Sequence, residues 1–92
     1  MNKNKDLNID EIFSLAVENH QKNNLNIAID LYNQAIEKDP KHIGSLINLG
    51  VTLKSQGKYQ EAMSCYDKAI EIDPKDINAY NNLGGIHILL KE

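Results

Sequence analysis

The sequence predicts an all-α fold, a short solenoid of antiparallel helix hairpins, and three observations predict it. The tripeptide Asn48-Leu49-Gly50 returns as Asn82-Leu83-Gly84, 34 residues further on. The same offset relates Ala28 to Ala62, Tyr32 to Tyr66, Ala35 to Ala69, Ile36 to Ile70 and Pro40 to Pro74, so one unit has been copied. Within each copy, apolar residues recur at helical rather than strand spacing.

From Ile9 to about Gln21, apolar residues fall in two stripes, Ile12, Leu15 and Ala16 beside Phe13 and Val17, so this helix should touch two neighbours. Asp10 and Glu11 put negative charge in its first turn, where the helix dipole favours it, and Asn23-Asn24 supply a stop. The next helix runs from Leu25 to Lys38 on Leu25, Ala28, Ile29, Leu31, Tyr32, Ala35 and Ile36. Asp39-Pro40 ends it, because the residue before proline is pushed out of helical geometry. The second unit copies this, with a helix from Ile43 to about Gln56, a cap at Gly57, a partner helix from Tyr59 to Ile72 and a stop at Asp73-Pro74. A fifth helix, Ile77 to about Leu90, opens a third unit. The expected organisation is a flexible segment over 1–8, repeats over 9–42 and 43–76, and a partial repeat over 77–92.

The chain has 92 residues, 41% of them hydrophobic and 25% charged, which suits one small globular domain and argues against disorder. A net charge of −3 with scattered lysines leaves no basic surface to gather phosphates, so nucleic acid is not expected as a partner. No apolar stretch is long enough for a signal peptide or a membrane span, so no membrane partner is expected. Cys65 is the single cysteine and cannot form an intrachain disulfide, which fits a cytoplasmic location.

These positions resemble the tetratricopeptide repeat family, which has the same period and a similar order of small, aromatic and proline residues. Leu46, Leu49-Gly50, Leu53, Ala62, Tyr66, Ala69 and Pro74 match the pattern in order, with Leu46 standing where tryptophan is commonest. The first unit matches through Ile12, Leu15, Ala28, Tyr32, Ala35 and Pro40, but has Ala16 where glycine is usual and Asn19 where a large apolar residue is usual. The last helix matches at Tyr80, Leu83 and Gly84 and departs at His87. Small residues at Gly50, Gly84, Ala28, Ala62, Ala35 and Ala69 should let helix axes approach, with Leu49, Leu83, Tyr32, Tyr66, Ile36 and Ile70 filling the spaces between.

In such a solenoid the first helix of each pair lines the inner, concave surface, which is the usual binding surface. That face reads Asp10, Phe13, Ser14, Val17, His20 and Gln21, then Gly44, Ile47, Asn48, Val51, Lys54 and Ser55, then Asn78, Asn81, Asn82, Gly85, Ile88 and Leu89. Asn48 and Asn82 occupy equivalent places, and an amide side chain offers both a donor and an acceptor to the main chain of an extended peptide. This is similar to the asparagine ladder in the repeats of some protein-modifying glycosyltransferases, with Ser14 in place of a third rung. The expected function is a non-catalytic module that binds an extended segment of a protein partner. Asn48 and Asn82 would meet the segment's backbone, with Ser14, Lys54 and Asn78 beside them and Phe13, Val17, Ile47 and Val51 touching its side chains. A rival reading makes these repeats the leading, substrate-recognising part of a larger glycosyl- or sulfotransferase. The basic clamp that holds carboxylate tails in this family is not expected, because Phe13, Asn78 and Asn82 stand where it needs other residues.

No cofactor or metal site is expected. His20, His42 and His87 are too scattered for a helical metal pair and read as solvated or edge residues, and Cys65 has no cationic cluster to activate it. Tyr32 and Tyr66 read as core aromatics, and Glu37, Asp39, Glu71 and Asp73 as a solvated surface. At the far end, Ile86, Ile88, Leu89 and Leu90 crowd the last helix, where a terminal repeat normally turns a polar face outward. Something should cover them: further repeats, if the chain is the amino-terminal piece of a longer protein, or a second copy, in a homodimer through this helix.

Overall fold

The computed structural model describes residues 7–90, with side chains described as far as residue 88. Those residues form five α-helices and no strands: α1 (Ile9–Gln21), α2 (Leu25–Lys38), α3 (Ile43–Ser55), α4 (Tyr59–Ile72) and α5 (Ile77–Leu90). α1, α3 and α5 form one layer and α2 and α4 the other, with α2 packed on both α1 and α3 and α4 on both α3 and α5. This is the predicted solenoid of nested hairpins.

α1, α3 and α5 are started by side chains next to them in sequence, whereas α2 and α4 have no side-chain cap. Of the segment 1–8 expected to be flexible, residues 1–6 lie outside the described residues. Leu7, by contrast, packs against the core, and Asn8 caps α1, its Oδ1 accepting from the Glu11 amide at 2.9 Å while Glu11 Oε1 accepts from the Asn8 amide at 3.0 Å. That reciprocal box satisfies two amide groups that a helix end leaves without partners. Beyond α1, Asn23 adopts φ 65°, and Gly57 takes φ 78° at the equivalent place after α3. Both are left-handed positions that let the chain reverse into the next helix, and asparagine is the residue besides glycine that tolerates one. α3 stops one residue before the expected Gln56, whose amide bonds to the Leu53 carbonyl at 3.0 Å in a tightened last turn. His42 and Asp76 begin α3 and α5 by accepting from the amides of Ser45 at 3.2 Å and Ala79 at 3.1 Å.

The acidic residues before the prolines have a structural task that the reading as a solvated surface missed. Asp39 Oδ1 accepts from the Lys41 amide at 3.0 Å and Asp73 Oδ1 from the Lys75 amide at 3.1 Å. Both bonds close a local turn between one unit and the next, which explains why Asp-Pro recurs at the repeat period.

The core is an interlock of small and large side chains. Ala16, Ala28, Ala35, Ala62 and Ala69 are fully buried beside the equally buried Ile12, Tyr32 and Tyr66. Gly50 shows how tight the fit is: a Cβ there would lie 2.5 Å from the Tyr66 ring, closer than carbon atoms can approach. Gly84 stands one period further on and was expected to permit the same approach, yet a Cβ built there meets nothing within 4 Å among the described residues. The difference arises because, among the described residues, no helix lies against α5 in the way α4 lies against α3. Ile86 also departs from expectation. It was read as part of an uncovered end, but it is fully buried, on the side of α5 that faces α4.

The two glycines should therefore respond oppositely to the same change. Gly50→Ala is expected to destabilise the fold by about 1–3 kcal/mol through overpacking against a ring that cannot move. Gly84→Ala should stabilise it by about 0.5–1 kcal/mol, because alanine is the better helix former and meets no obstacle. Urea unfolding of both variants followed by circular dichroism measures the two values.

Candidate functional site

The layer of α1, α3 and α5 carries every residue assigned to the binding face, but these residues divide into those that are exposed and those engaged in packing. Ser14, Asn78 and Ile88 are exposed, and Val17, Val51, Lys54, Asn48 and Asn82 are half-buried. Ile47 is only 9% exposed and belongs to the core rather than to an open surface. The side chains of Leu89 and Leu90 lie outside the described residues.

Phe13, expected to contact a ligand side chain, is half-buried and also bridges the two units. Its ring lies against Gly44, where a Cβ would come within 3.2 Å of it. The same ring meets His42 edge-on at a centroid distance of 5.1 Å and Tyr32 at 6.0 Å. Gly44 therefore has a packing reason to be small, and Phe13 fixes where α1 crosses the start of α3. His42 is held in turn by its own cap, with Nδ1 2.7 Å from Ser45 Oγ.

His20 was read as a solvated or edge residue, but it sits inside a polar junction. Its Nδ1 lies 3.2 Å from Thr52 Oγ1 and 3.4 Å from the Tyr32 hydroxyl, joining α1, α2 and α3, and its ring stands at 87° to that of Tyr32. Thr52, fully buried, donates to the Asn48 carbonyl at 2.7 Å. Burial pushes the Tyr32 phenol above its ordinary pKa, and a hydrogen bond with the Asn48 side chain draws it partly back. Asn48 thus lies beside this junction. Asn82 is braced against its own helix, its Nδ2 donating to the Asn78 carbonyl at 2.8 Å.

The copied tyrosine lacks these partners. Relative to the first unit, Ile86 replaces Thr52 and Lys54 replaces His20, and the Tyr66 hydroxyl is buried with no hydrogen-bond partner among the described residues. Burial, with a smaller contribution from Cys65, pushes its pKa up to about 12. The Cys65 thiol is itself buried and raised, chiefly by desolvation, which keeps it in the unreactive protonated form. Among the described residues no group of three or more His, Cys, Asp or Glu side chains is placed to hold a metal ion. Nor is any helix long and apolar enough to cross a membrane.

Comparison with known proteins agrees with this architecture. Tetratricopeptide repeat profiles match residues 9–41 and 31–63, and a TPR repeat profile matches 50–90, so that together they run through all five helices. The chain belongs to the tetratricopeptide repeat family. No curated protein matches it by sequence. A crystal structure of MamA is similar over 86% of this chain and 46% of its own, with a TM-score of 0.83 and 26% identity. A second MamA structure gives the same score and identity and is covered over 43% of its length. This TPR chain therefore spans less than half the length of the MamA chains it matches. A tetratricopeptide repeat domain protein from Salinibacter ruber matches over 90% of this chain and 91% of its own at a TM-score of 0.69. At 20% identity that likeness is one of fold alone. TPR repeats are, as a class, protein interaction modules rather than catalysts.

The unequal surroundings of the two tyrosines can be measured. Tyr32→Phe removes a bonded hydroxyl and should lower stability by about 1 kcal/mol, whereas Tyr66→Phe removes an unpartnered one and should raise it by about 1 kcal/mol. The Tyr66 pKa is raised above the ordinary 10.0, so the native state holds its proton longer than the unfolded chain. Its titration leaves stability unchanged below pH 10.0 and lowers it as pH rises from 10.0 toward about 12, where the unfolded chain ionises first. Thermal unfolding between those limits should show a shallower decline in Tyr66→Phe than in the parent.

Proposed function

We propose that the face formed by α1, α3 and α5 binds an extended peptide segment of a protein partner. The observation that carries this reading is the placing of Asn48 and Asn82 at equivalent, half-buried positions one repeat apart. Asn82 is braced at the Asn78 carbonyl, and Asn48 lies beside the Tyr32 phenol. Bracing reduces the side-chain entropy lost when a ligand binds, so an amide fixed in advance is a better backbone partner than a free one. The half-buried Val17 and Val51 offer apolar contact beside the amides, while Ser14, Asn78 and the stem of Lys54 supply polar and amphipathic surroundings.

Phe13 and Ile47 serve this surface from within. Phe13 sets the crossing of α1 over α3 through Gly44, and Ile47 packs the floor, so each acts on a ligand by holding helices in place. The described face is uncharged at its centre, which favours a segment recognised through its main chain and apolar side chains over a strongly acidic tail.

Selection of binders from a displayed random peptide library, followed by titration of the recovered peptides, tests the proposal. The Asn48→Ala, Asn82→Ala double variant should bind those peptides about tenfold or more weakly while keeping the helical content of the parent. Equal affinity for parent and double variant would remove the asparagines from the site.

A further inference from the structure

The proton on His20 can be located from three distances. Thr52 Oγ1 carries one proton and gives it to the Asn48 carbonyl at 2.7 Å, the shortest contact in the junction. Toward His20 Nδ1, 3.2 Å away, the same oxygen therefore offers only a lone pair. A bare Nδ1 would set two lone pairs against each other, so Nδ1 holds a proton and donates it to Thr52. The Tyr32 hydroxyl, at 3.4 Å from the same nitrogen, is the more distant neighbour and can turn its own proton elsewhere. His42 has the opposite arrangement. Its Nδ1 accepts from the Ser45 amide at 3.2 Å, so its proton sits on Nε2.

With Nδ1 turned into the junction, His20 is left with a lone pair on Nε2, at the other side of the ring. Among the described residues, the buried side-chain polar atoms that lack a partner are Gln56 Oε1 and the Tyr66 hydroxyl. Nε2 of the half-buried His20, which has no partner in the chain, is therefore open to solvent. His20 stands one helical turn from Val17 on the peptide face and shares the Tyr32 phenol with Asn48. A bare ring nitrogen can only accept, whereas an asparagine amide both donates and accepts.

We propose, on the reading of this face as a peptide site, that His20 contacts the bound segment, its Nε2 accepting one main-chain N–H. Because His20 and Asn48 meet at one phenol, they engage nearby peptide units of a strand that advances about 3.3 Å per residue. Proline, which has no N–H, is excluded from the segment at the His20 contact. A proton taken up by Nε2 turns the acceptor into a donor and sets N–H against N–H, so the segment is released as pH falls. Histidine makes that change between about pH 5 and 8. Of the groups that face His20, α2 contributes the Tyr32 phenol, which stays neutral there, and α3 contributes Thr52 and Asn48, which do not titrate. Lys54 holds the equivalent position on α3, and Glu18 and Lys22, the nearest charged residues in sequence, are exposed. The junction itself survives, since Nδ1 keeps its proton in both forms.

Ring-nitrogen shifts of the isotope-labelled 92-residue chain test the lock. At about pH 8, His20 should show a protonated Nδ1 and a bare Nε2, with His42 showing the reverse in the same spectrum. Thr52→Val, which keeps the shape and removes the acceptor, should move His20 toward the Nε2-protonated form. A proton on Nε2 of His20 in the parent overturns the proposal. The contact is tested with histidine-free peptides recovered by the library selection. Their affinity for the parent should fall about fivefold or more between about pH 8 and pH 5. His20→Asn keeps an N–H toward Thr52 but has no ε nitrogen, so it should bind with the lower affinity at both pH values and retain the parent's circular dichroism. Methylating the peptide's main-chain nitrogens one at a time should reveal one position that costs the parent about fivefold and His20→Asn nothing. Parent affinity that ignores pH, or the absence of such a position, overturns the role of His20. Failure of the underlying peptide reading looks different: the recovered peptides then shift no amide of α1 or α3, and both readings fall together.

Discussion

The contact between the Tyr66 ring and Gly50 is the constraint from which the rest of the architecture follows. The fully buried Tyr66 ring lies so close to α3 that it leaves no room for a side chain at Gly50. Once that distance is set, the angle and depth of the hairpin are set with it, because the flanking Ala62 and Ala69 allow no wider spacing without leaving voids. The first unit reaches a similar arrangement with Ala16 in the place of glycine, and there the tyrosine is Tyr32.

The difference between those two tyrosines links the core to the surface above it. Tyr32 has a polar junction around its hydroxyl, built by His20, Thr52 and Asn48 from two further helices, whereas Tyr66 has Ile86 and Lys54 at the corresponding positions. A copied unit has thus kept its apolar skeleton while its polar attachments diverged. The proposed peptide face inherits this asymmetry. One amide lies beside that junction and the other is tied to its own helix, so the two rungs should differ in rigidity.

The helices were legible in the sequence because periodicity, the Asp-Pro stops and the glycine after α3 each report on local backbone geometry. All five were located, with only the end of α3 displaced, by one residue. What the sequence did not disclose depended on contacts between distant positions. His20 looked like a surface residue because its partners Tyr32 and Thr52 lie 12 and 32 residues away. Phe13 and Ile47 fell on the predicted binding face by helical phase alone, yet the crossing of α1 over Gly44 draws Phe13 inward and the core takes Ile47. Gly84 repeats Gly50 in the sequence, and only the structure shows that the same letter marks a filled notch in one place and an open one in the other. The bracing of Asn82 on Asn78 could have been suspected from their spacing of one helical turn.

The turns at the junctions between units are closed by near neighbours in the sequence, with Asp39 and Asp73 each folding the backbone onto an amide two residues ahead. Such a joint carries no information about how many units precede or follow it. Gene duplication can therefore lengthen or shorten an array of this kind by whole periods and leave every surviving corner intact, whereas an insertion of any other length would break one. The modest aspartate at each corner is what makes array length a freely variable trait.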